Sequence, residues 1–281
     1  MYDFPIGVIL DSFRCGFREG VKKAVNCGAG GLQMYVTEGQ YAPENLSADR
    51  RREILDIVKS NGLVFSALCG DLGQGFGSSE KNPALIERSK RIIDLAKELE
   101  TDIVTTHIGV VPADKTHKRY EIMRQACLRL SEYASSVGGF FAIETGPEPI
   151  SVLKEFLDSI GSRGVAVNLD PANLVMVTGD DPVRAVYTLR DYIVHTHAKD
   201  GKKLREVSPE VIYGVIPGEN QSEAAFEELP LGHGDVDFDS YLKALDEIGY
   251  QGFLTIEREV GDDPERDIIA AVEFLTKKVR G

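Results

Sequence analysis

Short apolar runs alternate with longer amphipathic ones eight times along the chain, and this repeat limits the fold more than any single residue does. Such alternation marks βα units feeding a parallel sheet. The runs Ile6–Leu10, Gly31–Val36, Val64–Cys69, Ile103–Ile108, Phe140–Thr145, Val165–Asp170, Ile193–Ala198 and Phe253–Glu257 are dense in Val, Ile, Leu and Phe, as strands buried on both faces require. Between them, stretches such as Ala48–Ser60, Pro83–Leu99, His117–Ser136 and Pro264–Val279 carry helical spacing. Gly28, Gly62, Gly138, Gly161 and Gly249 stand where helices want a left-handed stop, and Pro83, Pro182 and Pro264 stand near helix starts. With no Pro/Gly-rich linker between units, the pattern predicts one α/β domain over residues 1–281, a single closed (β/α)8 barrel. A doubly wound open sheet is the alternative; it fits less well because no G-x-G-x-x-G follows the first strand.

One connection breaks the rhythm. Residues 201–237 show no clear element, a span roughly six times the usual two to six residues of a βα loop, which predicts an active-site lid, with a plain surface excursion as the alternative. Charge narrows the partners: 32 Lys and Arg against 45 Asp and Glu give −13, a sign that opposes nucleic acid. No apolar run approaches the ~18 residues of a membrane span, and Met1-Tyr2-Asp3-Phe4-Pro5 lacks the order of a signal peptide, so a cytoplasmic location is expected. Cys15, Cys27, Cys69 and Cys127 are scattered without C-x-x-C spacing, which suits packing thiols.

A barrel of parallel strands builds its site where strands end. The fifth run closes in FAIETG, the sixth in VNLDPAN, the seventh in HTHAKD and the eighth in LTIERE. Glu144, Asp170, His197 and Glu257 are the polar residues there, and side-chain alternation pairs them on one face with Ala142, Asn168, His195 and Thr255. Three carboxylates and an imidazole converging on a desolvated mouth call for a divalent cation. The oxygen-rich set favours Mn²⁺ or Mg²⁺, with Co²⁺ or Zn²⁺ as alternatives.

In these motifs the chain resembles the xylose-isomerase-like TIM-barrel sugar phosphate isomerases and epimerases, which include ketose 3-epimerases and inosose dehydratase-like enzymes. NLDPAN, HTHAKD, LGHGDVDF and FLTIERE, with the lead-in at Gly249 and Tyr250, carry the resemblance. It implies that Glu144, Asp170, His197 and Glu257 bind one metal ion, the same four that strand-end spacing selects. Asn173 stands where similar ketose 3-epimerases present a substrate-contacting His. His107, Asn173, Lys199 and His233 are the substrate-binding candidates; Asp235 could close over the site with His233, and Glu148 and Gln33 are weaker candidates for substrate hydroxyls. Lys199 has an alternative role as a salt bridge to Asp200 or Glu257, and alternation turns Arg258 away from the interior.

The expected activity is metal-dependent isomerisation or epimerisation of a sugar or sugar phosphate, led by C3 epimerisation of a ketose, with Glu144 and Glu257 as acid/base pair on opposite faces. Dehydration of a keto-inositol or 3-keto sugar is the alternative, followed by a non-catalytic sugar-binding barrel. An abasic-site endonuclease would need further His ligands and a basic groove, against which five histidines and the acidic charge speak. The expected partner is a small-molecule sugar or sugar phosphate, with no nucleic acid and no membrane, and the resemblance leaves a homo-oligomer of this chain as an open expectation.

Overall fold

The computed structural model describes residues 1–217 and 223–281 of the chain. Its strands are β1 (Ile6–Ile9), β2 (Gly31–Tyr35), β3 (Val64–Cys69), β4 (Ile103–Thr106), β5 (Phe140–Glu144), β6 (Val165–Leu169), β7 (Ile193–Ala198), β8 (Asp200–Lys203), β9 (Phe226–Leu229) and β10 (Leu254–Ile256). All but β8 and β9 pair in parallel and close on themselves in the order β1-β10-β7-β6-β5-β4-β3-β2, the barrel that the repeat predicts. The helices are α1 (Phe17–Cys27), α2 (Ala48–Ser60), α3 (Asn82–Glu98), α4 (Lys118–Ser136), α5 (Ile150–Ile160), the single turn α6 (Pro171–Asn173), α7 (Pro182–Leu189), the short α8 (Pro209–Ile212), α9 (Phe238–Glu247) and α10 (Pro264–Arg280).

Local chemistry explains these boundaries. Ser47 starts α2 by accepting from the Arg50 N–H at 3.3 Å, and Asp263 starts α10 by accepting from Arg266 N–H at 3.1 Å. Lys277, Lys278 and Arg280 occupy the last turn of α10, where the helix dipole favours cations. α5 turns Ile150, Leu153, Phe156, Leu157 and Ile160 inward at helical spacing and stops at Gly161, whose φ of 66° a side chain would strain. Each large aliphatic or aromatic side chain buried in this way stabilises the fold by about 1.5–3 kcal/mol. Strand β6 is buried along its whole length, as a stave covered by helices outside and packed side chains inside must be.

The connection over 201–237 corrects the expectation of a featureless span, although its residues 218–222 lie outside the described residues. β8 and β9 form an antiparallel hairpin with Asp200 opposite Leu229 and Lys203 opposite Phe226, and α8 lies between them. Its strands, DGKK and FEEL, lack the apolar alternation that betrays a strand in sequence. The base of the excursion is fixed by Asp200, whose carboxylate accepts from Gly201, Gly232 and Gly234 N–H at 2.9 Å each and from Val236 N–H at 3.2 Å. Among the described residues all four cysteines are free, and no helix is long and apolar enough to cross a membrane.

Candidate functional site

Four neighbouring staves deliver the cluster. Glu144 ends β5, Asp170 follows β6, His197 lies in β7 and Glu257 follows β10. One ligand atom from each lies within 4.8 Å of all the others, and all four residues are buried. His197 Nδ1 faces Glu257 Oε2 at 3.2 Å, Asp170 Oδ2 at 3.3 Å and Glu144 Oε1 at 3.6 Å. A proton on Nδ1 serves one of these oxygens at a time, whereas one divalent cation serves all four groups together. The donor set of three hard oxygens and one imidazole therefore fits such an ion.

The other face of the His197 ring fixes its tautomer. Nε2 lies 3.1 Å from Gln33 Oε1, and the Gln33 amide is itself oriented by donating to Thr105 Oγ1 at 3.2 Å. A proton on Nε2 satisfies the Gln33 carbonyl, so that a cation taking the place of the Nδ1 proton would meet the Nδ1 lone pair among the carboxylates. The barrel register shifts at Leu32/Gln33 and at Val167/Asn168, and Asn168 donates to Glu144 Oε2 at 3.1 Å. Irregularities thus fall where an amide must be aimed at the site.

Burial and charge compete strongly here. Burial pushes the His197 pKa down, but the Glu257 and Glu144 carboxylates and the Asp170 hydrogen bond outweigh it and hold it well above the ordinary histidine range. Burial likewise opposes ionisation of Glu257, yet Lys199 and His197 hold its carboxyl well below the usual range. Asp170 is raised by burial despite the His197 hydrogen bond. His195 lies two residues from His197 on the same strand face; burial, then the neighbouring imidazole, lower its pKa well below the ordinary value. Its nitrogens meet neutral partners, Asn168 Oδ1 at 2.8 Å and Thr255 Oγ1 at 2.9 Å.

The structure sorts the remaining sequence candidates. Asn173 is buried at the cleft and donates to Glu144 Oε1 at 3.0 Å. His107 lines the cleft with Nε2 3.4 Å from Glu144 Oε1, and its buried Nδ1 has no partner among the described residues. Lys199 also lines it; its ammonium pairs with Glu257 at 3.0 Å and Glu259 at 2.5 Å, and does not engage Asp200, which grips backbone instead. His233 and Asp235 are exposed and stand apart from the residues lining the cleft, because LGHGDVD wraps its backbone around Asp200. Gln33 is 1 % exposed and touches His197 rather than lining the cleft. Glu148 is 2 % exposed and accepts from Val111 N–H at 3.1 Å. Arg258 faces outward as alternation predicts, into Glu228 at 2.6 Å and Asp267 at 2.8 Å.

Sequence reasoning missed Tyr35, Ile212, Tyr213, Phe226 and Glu259, which line the same cavity of about 280 Å³. Three of these come from the excursion, and no strand-end rule reaches them.

The model of the xylose isomerase-like TIM barrel family matches residues 21–278. The chain belongs to this family. It is similar, at 24 % identity over 270 residues, to the Escherichia coli K12 protein named "Putative L-ribulose-5-phosphate 3-epimerase SgbU", covering 92 % of this chain and 89 % of that one. Its fold is similar to the "probable 3-DHS dehydratase AsbF involved in the petrobactin synthesis from Bacillus anthracis" at a TM-score of 0.76 and 20 % identity, covering 97 % of this chain and 99 % of that chain. It is similar also to a D-psicose 3-epimerase solved in the presence of D-fructose, at a TM-score of 0.75 and 15 % identity, covering 99 % and 100 %. A sugar isomerase/epimerase-like barrel with a buried Glu-Asp-His-Glu group able to hold a metal is therefore established.

Proposed function

We propose that the protein is a divalent-metal-dependent isomerase or epimerase of a sugar or sugar phosphate, with C3 epimerisation of a ketose as its reaction. The observation that carries this reading is the single imidazole nitrogen of His197 facing three buried carboxylate oxygens. Glu144, Asp170, His197 and Glu257 would hold the ion, with Mn²⁺ or Mg²⁺ suited to that donor set. When bound, such an ion supplies positive charge to the oxygens on which negative charge gathers as a proton leaves the adjacent carbon.

The chain's own residues do the rest. Glu144 and Glu257 stand at the two ends of the four-stave arc, so a sugar lying across it meets a carboxylate on either side. One removes the proton on carbon and the other returns a proton from the opposite face, which inverts that centre. Asn173, Asn168 and His107 orient the Glu144 carboxylate, and Lys199 holds that of Glu257. Ile212, Tyr213 and Phe226 cover the cleft from the excursion, which supports its role as a lid that excludes water.

A dehydratase is the second reading, because the fold is similar to that of a probable 3-DHS dehydratase and Asn173 departs from the His of the ketose 3-epimerases that the chain resembles. Solvent deuterium entering a panel of ketoses, followed by NMR with Mn²⁺, Mg²⁺ or Co²⁺ restored after chelation, tests the proposal. Exchange without loss of water supports epimerisation; ultraviolet absorbance from a released enone supports dehydration. Sugar binding with neither metal binding nor exchange would leave only a sugar-binding barrel.

A further inference from the structure

We propose that the cleft continues beyond the carboxylate cluster into an anion-binding chamber read by Lys81 and Arg119, and that the substrate is a sugar phosphate rather than a free sugar; this rests on the sugar-isomerase reading above. The cavity at the cluster, about 280 Å³, already approaches the roughly 300 Å³ at the low end of small-molecule sites. A second cavity of about 470 Å³ adjoins it. Asp71, His107 and Tyr213 line both, so the two form one cleft with a junction at those side chains. A single sugar ring does not need that added volume, whereas a ring with a substituent at its far end does.

The chemistry of the lining selects the substituent. Glu144, Glu257 and Glu259 line the cluster end with Lys199, whose ammonium is already paired with Glu257 and Glu259, while the charged side chains of the second chamber beyond the junction are Lys81 and Arg119. Charge along the cleft therefore runs from acidic to basic in a protein of net charge −13. The Lys81 ammonium has no acceptor among the described residues; the residue's hydrogen bonds are made by its backbone, with the N–H donating to Ser78 Oγ at 3.3 Å and the carbonyl accepting from Leu85 N–H at 3.2 Å. Arg119 uses one guanidinium nitrogen, Nη2, on Val110 O and Glu210 Oε1, both at 2.9 Å, and its Nε and Nη1 have no partner among the described residues.

Backbone donors complete the chamber. The Gly75, Gly77 and Gly109 residues line it, and their N–H groups have no acceptor among the described residues. A Cβ at Gly77 would lie 3.0 Å from Arg119 Cδ, so glycine lets the arginine stem lie along the loop with its fork toward the chamber's lining. An ammonium, part of a guanidinium and uncommitted N–H groups around one space form a set that a phosphate monoester satisfies and a hydroxyl does not.

The test compares a ketose with its terminal phosphate on the same carbon skeleton, by deuterium exchange in the Mn²⁺-loaded protein. The phosphate should show a kcat/KM roughly 10-fold or more higher, the range of a hydrogen bond to a charged group. Lys81→Ala should raise KM for the phosphate roughly 10-fold while leaving kcat and the free ketose unchanged, and Lys81→Arg should restore it. Equal kcat/KM for both forms, preference for a neutral glycoside, or equal slowing of both substrates by Lys81→Ala would overturn the proposal. A calorimetric titration with inorganic phosphate needs no turnover: binding kept in Asp170→Asn and lost in Lys81→Ala supports the chamber even if no ketose exchanges, an outcome that would remove only the parent reading. No phosphate binding by the wild-type protein would remove the chamber.

Discussion

The two halves of the barrel mouth are built to different rules. The arc β5-β6-β7-β10 concentrates ionisable groups, three carboxylates and an imidazole whose ligand atoms lie within 4.8 Å, held by Lys199 and a layer of amides. The arc β1-β2-β3-β4 meets it with neutral hydrogen-bonding groups, Gln33 and Thr105, and then opens through glycine-rich loops into the second chamber. The difference teaches that one half is organised around charge that must be compensated, and the other around orientation and space. Replacing a group on the first arc should therefore cost function outright, while replacing one on the second should alter affinity.

The largest expected effect is on the acidic arc: Glu257→Gln should lower exchange into a ketose by roughly 10²–10⁴-fold, the usual contribution of a positioned acid or base. Metal binding that persists in this variant, read by Mn²⁺ electron paramagnetic resonance, separates lost proton transfer from lost ligation. Next comes the clamp behind that arc, where Glu228 is held in buried surroundings by Arg258 at 2.6 Å. Arg258→Ala leaves that carboxylate only the Glu259 N–H at 3.1 Å and the Lys199 ammonium at 4.0 Å, and should cost about 3–5 kcal/mol of stability in denaturant titrations. A loss under about 1 kcal/mol would mean that the hairpin is not anchored there.

Gln33→Leu probes the orienting half. It removes the acceptor that fixes the His197 tautomer and should weaken metal affinity by roughly 10–100-fold, with exchange recovered at saturating metal. Loss of turnover that metal cannot restore would break the contrast between the arcs.

The smallest effect concerns Glu148, which joins the β5 loop to the β4 loop and whose pKa burial raises from 4.5 to about 8. The unfolded chain ionises this group near 4.5, so between there and about 8 the folded state binds more protons, and its contribution to stability falls as pH rises. Glu148→Gln should flatten that decline, measured as the difference in denaturation midpoint between the two proteins across pH 4.5–8. Parallel midpoint curves would show that the carboxyl stays ionised in the fold.

Much of this was legible in the sequence because it follows from periodicity. The eight barrel strands fall within a residue or two of their apolar runs, and the four cluster residues are the polar groups on which those runs end. The rest depends on contacts that spacing does not encode. Gln33 reaches His197 across 164 residues of chain, and only a register shift in β2 reveals why. The hairpin β8–β9 is charged on both strands, because its ladder is stabilised by pairing and by Lys202–Glu227 at 2.9 Å rather than by burial in the barrel. His233 looked chemical from its residue type, yet the glycines around it serve the carboxylate of Asp200.

That carboxylate also shapes what this protein can become. Because Asp200 gathers both feet of the excursion, the intervening segment is already a closed loop before its tip is specified. Residues added or exchanged at the tip then cost little closure entropy, since that penalty grows only logarithmically with length. The scaffold could trade one roof for another, and with it one sugar for another, while the staves beneath keep their register.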